Sequence, residues 1–240
     1  MKTIEAPAQV GPRPMGYFVR PMRLEDIPQV TQIERECFPT GWTATPFRRE
    51  LRNRIAAYLV AVEARDPYRA DTEAREALSR EDMPVKPLTL RQLLGKTIGN
   101  ILGHEEPDPH PGSPQRVAGF AGVWFMADEA HVTVIGTGDH WRRQGIGELL
   151  LLAAVEMSRA RGAHVVTLEV RASNTIAQAL YQKYGFNAAG LRKGYYTDNR
   201  EDAVIMTTDA IGGMEYEARL TALRLDHEQR WGSSVRLWPP

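Results

Sequence analysis

His140-Trp-Arg-Arg-Gln-Gly-Ile-Gly-Glu-Leu-Leu150 leaves a strand-like run and opens a helix-like one. Arg142, Gly145 and Gly147 stand in an R-x-x-G-x-G turn. Glycines let a backbone approach a ligand closely, and the N–H groups at the start of a helix carry partial positive charge. Such a turn is an anion cradle of the size of a diphosphate, with Arg142 or Arg143 as a charged clamp. It is not a Walker loop, because no G-K-[ST] ending follows. It is not the dinucleotide G-x-G-x-x-G, and it comes too late in the chain for a first βα unit. The remaining alternative is a glycine-rich helix start that binds nothing.

Working outward, Val117 to Phe125 and Ala130 to Thr137 are apolar runs split by Met126-Ala-Asp-Glu129, a hairpin of interior strands. Downstream come a helix over 148–161 with Ile146, Leu149, Leu150, Ala153 and Met157 inward, a strand over 164–170 and a helix over 174–183. Two last strands follow, over 186–191 and 203–207. Upstream, Tyr17 to Arg20 reads as a strand. Leu24-Glu25-Asp26 opens a helix with Ile27, Val30, Ile33 and Cys37 on one face, ended by Phe38-Pro39-Thr40-Gly41. A second helix is expected over about 46–53 and a strand over 57–62. The order predicts an α/β (α+β, three-layer) fold with a mixed sheet and an insertion between its second and third strands.

Residues 1–16, with three prolines and two glycines, read as a mobile arm; 17–210 read as the main domain and 211–240 as a helical tail. Within the insertion, 63–116, Asp71 to Asp82 is dense in charge and prolines punctuate the rest. Leu90, Leu93, Leu94, Ile98, Ile101 and Leu102 line a helical face, read as packed on its own protein or as a docking face. The tail carries Tyr216, Leu220, Leu223 and Leu225, and is expected to cover the core or to make an oligomer contact such as a homodimer.

The 240 residues balance 30 Lys and Arg against 30 Asp and Glu, which argues against nucleic-acid binding through bulk charge. A single cysteine, Cys37, excludes an intramolecular disulfide and a zinc site built on several thiolates, and suits a reducing cytoplasmic setting. The first residues show no apolar signal region, and the densest apolar run, Ile146 to Val155, is too short to span a bilayer, so no membrane role is expected.

The second chemical segment is Val165-Val-Thr-Leu-Glu-Val-Arg-Ala-Ser-Asn-Thr-Ile-Ala-Gln-Ala-Leu-Tyr-Gln-Lys-Tyr-Gly-Phe186. Glu169 lies in an apolar strand, which is costly unless the carboxylate meets a cleft or a cation such as Arg171. Burial would raise its pKa toward the range of a general base. Asn174 stands at a helix start, where capping is the default role. Tyr181 lies on the stripe Ala177, Leu180, Tyr181, Tyr184, where core packing is the default. Cys37, inside the first helix pattern, reads as a core residue rather than a nucleophile.

Together these segments resemble the GNAT superfamily of acetyl-CoA-dependent N-acetyltransferases. R-R-Q-G-I-G before a helix is similar to its acetyl-CoA motif, and L-E-V-R-A-S-N-T-I-A-Q-A-L-Y-Q-K-Y-G-F to the RimI-type enzymes, which acetylate the N-terminal alanine of a small-subunit ribosomal protein. Phe38-Pro39, Gly194-Tyr195-Tyr196 and Arg200-Glu201-Asp202-Ala203-Val204-Ile205-Met206 extend the resemblance over about 17–62 and 117–208. The insertion falls outside it, and Trp42 comes later than the family's F-P-W spacing. The resemblance implies that Ile135, Gly136 and Thr137 meet the pantetheine arm and thioester, and that Arg142, Arg143, Gln144, Gly145, Ile146 and Gly147 hold the diphosphate. It implies that Asn174 contacts acetyl-CoA, that Glu169 is the general base and that Tyr181 is the general acid. No metal is required. The acceptor implied is a protein or peptide N-terminus. A small amine, or a non-catalytic acyl-CoA sensor, are the competing readings.

Overall fold

A computed structural model describes residues 13–38, 44–79 and 115–238. Among the described residues seven strands form one sheet: β1 Tyr17–Pro21, β2 Ala56–Glu63, β3 Val117–Met126, β4 Glu129–Thr137, β5 Val165–Arg171, β6 Phe186–Tyr196 and β7 Glu201–Thr208. Their order is β1-β2-β3-β4-β5-β7-β6. Neighbours are antiparallel except β4 and β5, which run parallel. The helices are α1 Ile27–Cys37, α2 Phe47–Glu50, α3 Ala70–Ser79, α4 Ile146–Ala160, α5 Thr175–Lys183 and α6 Met214–Trp231. The expected α/β three-layer architecture with a mixed sheet is therefore present, and the strands and helices expected within the described residues occur with shifts of a few residues. β6 and β7 are longer than the sequence suggested: β6 runs on through the exposed residues 192–195 to Tyr196, and β7 begins two polar residues earlier, at Glu201.

Alternation along β3 sends Phe120 to one side of the sheet and Ala121 to the other. The first side packs against Val30 and Ile33 of α1, Phe47 of α2 and Ala70 and Ala74 of α3. The second packs against α4, whose Leu149, Leu150, Leu151 and Leu152 are all fully buried. A helix apolar on every side must be covered twice. The sheet covers one side, and α6 supplies Tyr216 and Leu220 to the same cluster. Helix α6 thus covers the core, one of the two roles expected for the tail.

Beyond α6 the chain runs along the free edge of β1. Val19 donates its N–H to Val235 O at 2.8 Å, and Leu237 N–H returns to Val19 O at 2.8 Å. This pairing caps an edge that would otherwise template association. Of the arm expected over 1–16, residues 1–12 lie outside the described residues. Met15 N–H bonds to Ser233 O at 2.8 Å.

Helix α3 was not anticipated within the charge-dense stretch. Ala70 and Ala74, four residues apart, are its buried contacts, and Glu73 accepts the N–H groups of Arg65 and Asp66. Two alanines among charges make a weak periodic signal. The helix expected around Leu90 to Leu102 lies outside the described residues. Near the first helix, Arg20 and Asp26, both fully buried, form a bidentate pair at 2.7 and 2.9 Å.

Candidate active site

The parallel pairing of β4 and β5 runs from Glu129↔Val165 to Val132↔Leu168 and stops there. Beyond that point β4 stays with β3, through Thr137↔Gly119, while β5 stays with β7, through Arg171↔Ala203. The bulge in β4 at Thr133, opposite Gly122 and Val123, begins the divergence. The two strands therefore part into a V, and main-chain groups of β4 from Thr133 onward lose their neighbour on that side.

A cavity of about 630 Å³ lies at the opening. Its walls include Ile135, Glu169, Asn174 and Tyr181, so four of the residues singled out in the sequence meet there. Cys37, Tyr58, Trp124, His131, Tyr195 and Tyr196 also line it. Gly136, Thr137 and the turn 142–147 are not part of this lining; they lead from β4 to the start of α4.

That turn has the form of an open nest. Arg143 and Gly145 take positive φ values of 59° and 77°. Backbone hydrogen bonds stop at Arg142 N–H to Asp139 O and resume at Leu149 N–H to Gly145 O. Between them, the N–H groups of residues 143–148 make no hydrogen bond among the described residues. Successive free N–H groups at a helix start concentrate positive potential. A Cβ built on Gly147 would meet nothing nearer than Thr137 Oγ1 at 3.6 Å, so packing does not demand a glycine there. An open face on a glycine beside free amides fits the close approach of a diphosphate. Gly145 differs: a Cβ there would lie 2.7 Å from the Trp231 ring, so both its φ and its neighbour require glycine. Gln144 is tied down by Tyr17 Oη at 3.0 Å, Ile146 is buried, and Arg142 pairs with Asp139 at 2.6 Å.

The profile of the Acetyltransferase (GNAT) family matches residues 27–186. The chain belongs to this family. The acetyltransferase is 35% identical over 189 residues to a Bacillus subtilis (strain 168) protein provisionally named a ribosomal protein bS18-alanine N-acetyltransferase, covering 78% of this chain and 92% of that one. It is 44% identical over 93 residues to the Escherichia coli (strain K12) ribosomal protein bS18-alanine N-acetyltransferase, covering 38% of this chain and 63% of the other. The crystal structure of the ribosomal-protein-S18-alanine N-acetyltransferase from Escherichia coli superposes with a TM-score of 0.55 at 24% identity, over 82% of this chain and 97% of that one, and shows the same fold.

The acetyltransferase site departs from expectation at Glu169. Its partner is not Arg171, which bonds to Asp198 at 2.8 Å and Glu201 at 3.1 Å and lies over the Tyr196 ring. Glu169 Oε2 lies 3.0 Å from His131 Nε2, and Oε1 lies 3.1 Å from Arg192 Nη2. The hydrogen bond from His131, opposed by desolvation and aided by the nearby charges, holds the Glu169 carboxyl below the usual range. Burial was expected to raise it; the partners outweigh burial because both reach the carboxylate directly. Thr167 Oγ1 donates to Glu129 Oε1 at 2.5 Å and so accepts from His131 Nδ1 at 2.9 Å. That fixes the orientation of the imidazole, with Nε2 facing Glu169.

Tyr181 projects from α5 with its ring 5.8 Å from Phe186. Its hydroxyl makes no hydrogen bond among the described residues, and burial pushes its pKa up to about 12. Asn174 caps α5, its Oδ1 accepting Ala177 N–H at 3.1 Å. Cys37 is half-buried, donates to Thr137 O at 3.4 Å, and has its thiol pKa raised by burial. His131 and Arg192 were missed in the sequence. His131 occupies one position of an ordinary alternating strand, and only its register with Thr167 brings it beside Glu169. Among the described residues, no helix is long and apolar enough to cross a membrane.

Proposed function

We propose that this acetyltransferase moves the acetyl group of acetyl-CoA to the N-terminal amine of a protein or peptide. The observation that carries the reading is the V between β4 and β5, with an ionised carboxylate and a protonated tyrosine lining one cavity beside a nest of free amides. The B. subtilis relative, matched over 92% of its length, supports a protein N-terminus as the acceptor. Bound in the V, the donor supplies a thioester, a carbonyl already activated toward amines.

The residues divide the work. N–H groups over 143–148 hold the diphosphate, with Arg142 and Arg143 adding charge at the rim. Ile135, Gly136 and Thr137 offer main-chain groups to the pantetheine arm, and an N–H near Gly136 and Thr137 stabilises the charge that develops on the carbonyl oxygen. Asn174 lines the cavity beside the start of α5. Glu169, ionised at neutral pH, takes the proton that an ammonium group must lose before it can attack, directly or through a water. The new C–N bond forms as the C–S bond breaks, and Tyr181, kept protonated by burial, gives its proton to the departing sulfur. The low pKa of Glu169 makes it a weaker base but keeps it charged, which also attracts a cationic acceptor into the cavity.

The test is thiol release from acetyl-CoA with a panel of peptides of different N-terminal residues, set against polyamines and aminoglycosides. Peptide-dependent release is expected. Release with small amines alone would replace the acceptor class. Binding of acetyl-CoA with no release for any acceptor would make the protein a sensor.

A further inference from the structure

The family match ends at residue 186, yet α6, beyond it, reaches back to the turn that precedes α4. His227 on α6 is 1% exposed, and its Nε2 lies 3.1 Å from the Gly145 carbonyl. A carbonyl can only accept, so Nε2 donates. The same oxygen takes Leu149 N–H at 2.9 Å. One turn further along α6, the Trp231 ring lies against Gly145 where a Cβ would be. Beside His227, Asp226 bonds to Lys183 at 2.6 Å, and Lys183 also bonds to Glu148 at 2.9 Å. Lys183 is two residues from Tyr181, so α6 touches both the nest and the helix of the proposed acid.

The consequence follows from peptide geometry. The carbonyl of Gly145 and the N–H of Ile146 belong to one planar trans unit and point in opposite directions. Holding the carbonyl from the α6 side aims the Ile146 N–H away from it, out of the nest. Arg143 is a non-glycine residue at positive φ, a conformation that persists only where the surroundings enforce it. We propose that His227 and Trp231 are positioning residues that pre-set the Gly145–Ile146 peptide for the donor's diphosphate. The proposal rests on the reading of residues 142–147 as the diphosphate cradle.

His227→Phe keeps the buried ring and removes the donor. Calorimetric Kd for CoA is expected to rise about five- to tenfold, the scale of one hydrogen bond. KM for acetyl-CoA should rise with it while kcat changes little. The preference for acetyl-CoA over S-acetyl-pantetheine, which lacks the diphosphate, should fall by the same factor. His227→Gln, which retains an N–H, should recover most of the loss. Should His227→Phe not fold, Trp231→Leu carries the same expectation. A Kd for CoA within error of wild type, or an equal fall with both donors, would overturn the proposal. Wild-type protein that uses the two donors equally well would overturn the cradle reading itself, and this inference with it.

Discussion

Glu169→Gln removes a charge and keeps a shape, so it separates proton transfer from binding. It should lower kcat by about 100-fold or more, the usual share of a general base, while calorimetric affinity for acetyl-CoA stays near wild type. Tyr181→Phe should slow thiol release on a similar scale with a melting point within a few degrees; a collapsed melting point with full activity in the folded fraction would return Tyr181 to the core. His227 gives a pH signature. Burial holds its pKa below the ordinary 6.5, against the raising effects of the Gly145 hydrogen bond and Glu148 and together with the lowering effects of Arg236 and Lys183; Asp226 and Arg230 flank it on α6. A base whose folded pKa is depressed stabilises fully above 6.5 and progressively less as pH falls toward the folded value. Melting temperature should therefore drop from pH 7 to pH 5.5, and His227→Gln should flatten part of that slope. At this scale the strand, cap and helix positions of Glu169, Asn174 and Tyr181 were legible, because such positions have local signatures; their roles came only from the family resemblance. Glu169's low pKa was not legible, since His131 and Arg192 come from β4 and β6.

Helix α4 shows how one element serves two ends. Its middle is four leucines buried against the sheet and α6, which fixes its axis, and its start is a row of amides with no partner among the described residues. The two glycines at that start have different causes, and substitution should tell them apart. Gly147→Ala improves helix propensity by up to about 1 kcal/mol, so it should raise the melting point slightly while weakening CoA binding. Gly145→Ala meets positive φ and the Trp231 ring, so it should lose stability and affinity together. Equal CoA affinity for Gly147→Ala and wild type would count against a ligand on that face. The R-x-x-G-x-G pattern made the turn before α4 visible from the sequence, but nothing in it distinguished a glycine demanded by tertiary packing from one left open.

Across the whole molecule, the C-terminal residues close the structure. Removing everything after Gly212 strips Tyr216 and Leu220 from the core and uncovers one side of α4 and the edge of β1. Two lost core side chains at about 1.5–3 kcal/mol each predict a melting point lower by roughly 10 °C or more, read by calorimetry or circular dichroism. The truncated protein should also associate through the bared β1 edge, which light scattering would detect. From the sequence alone came the strand order, the helices other than α3, the three-layer class and the two chemical segments, because period-two and period-3.6 patterns and glycine turns are written locally. The meeting of His131 with Glu169, the residue at which β4 parts from β5, and the return of α6 to Gly145 came only from the tertiary structure. Each depends on register or docking between segments far apart in the chain, and no local pattern of residues encodes a distance of that kind.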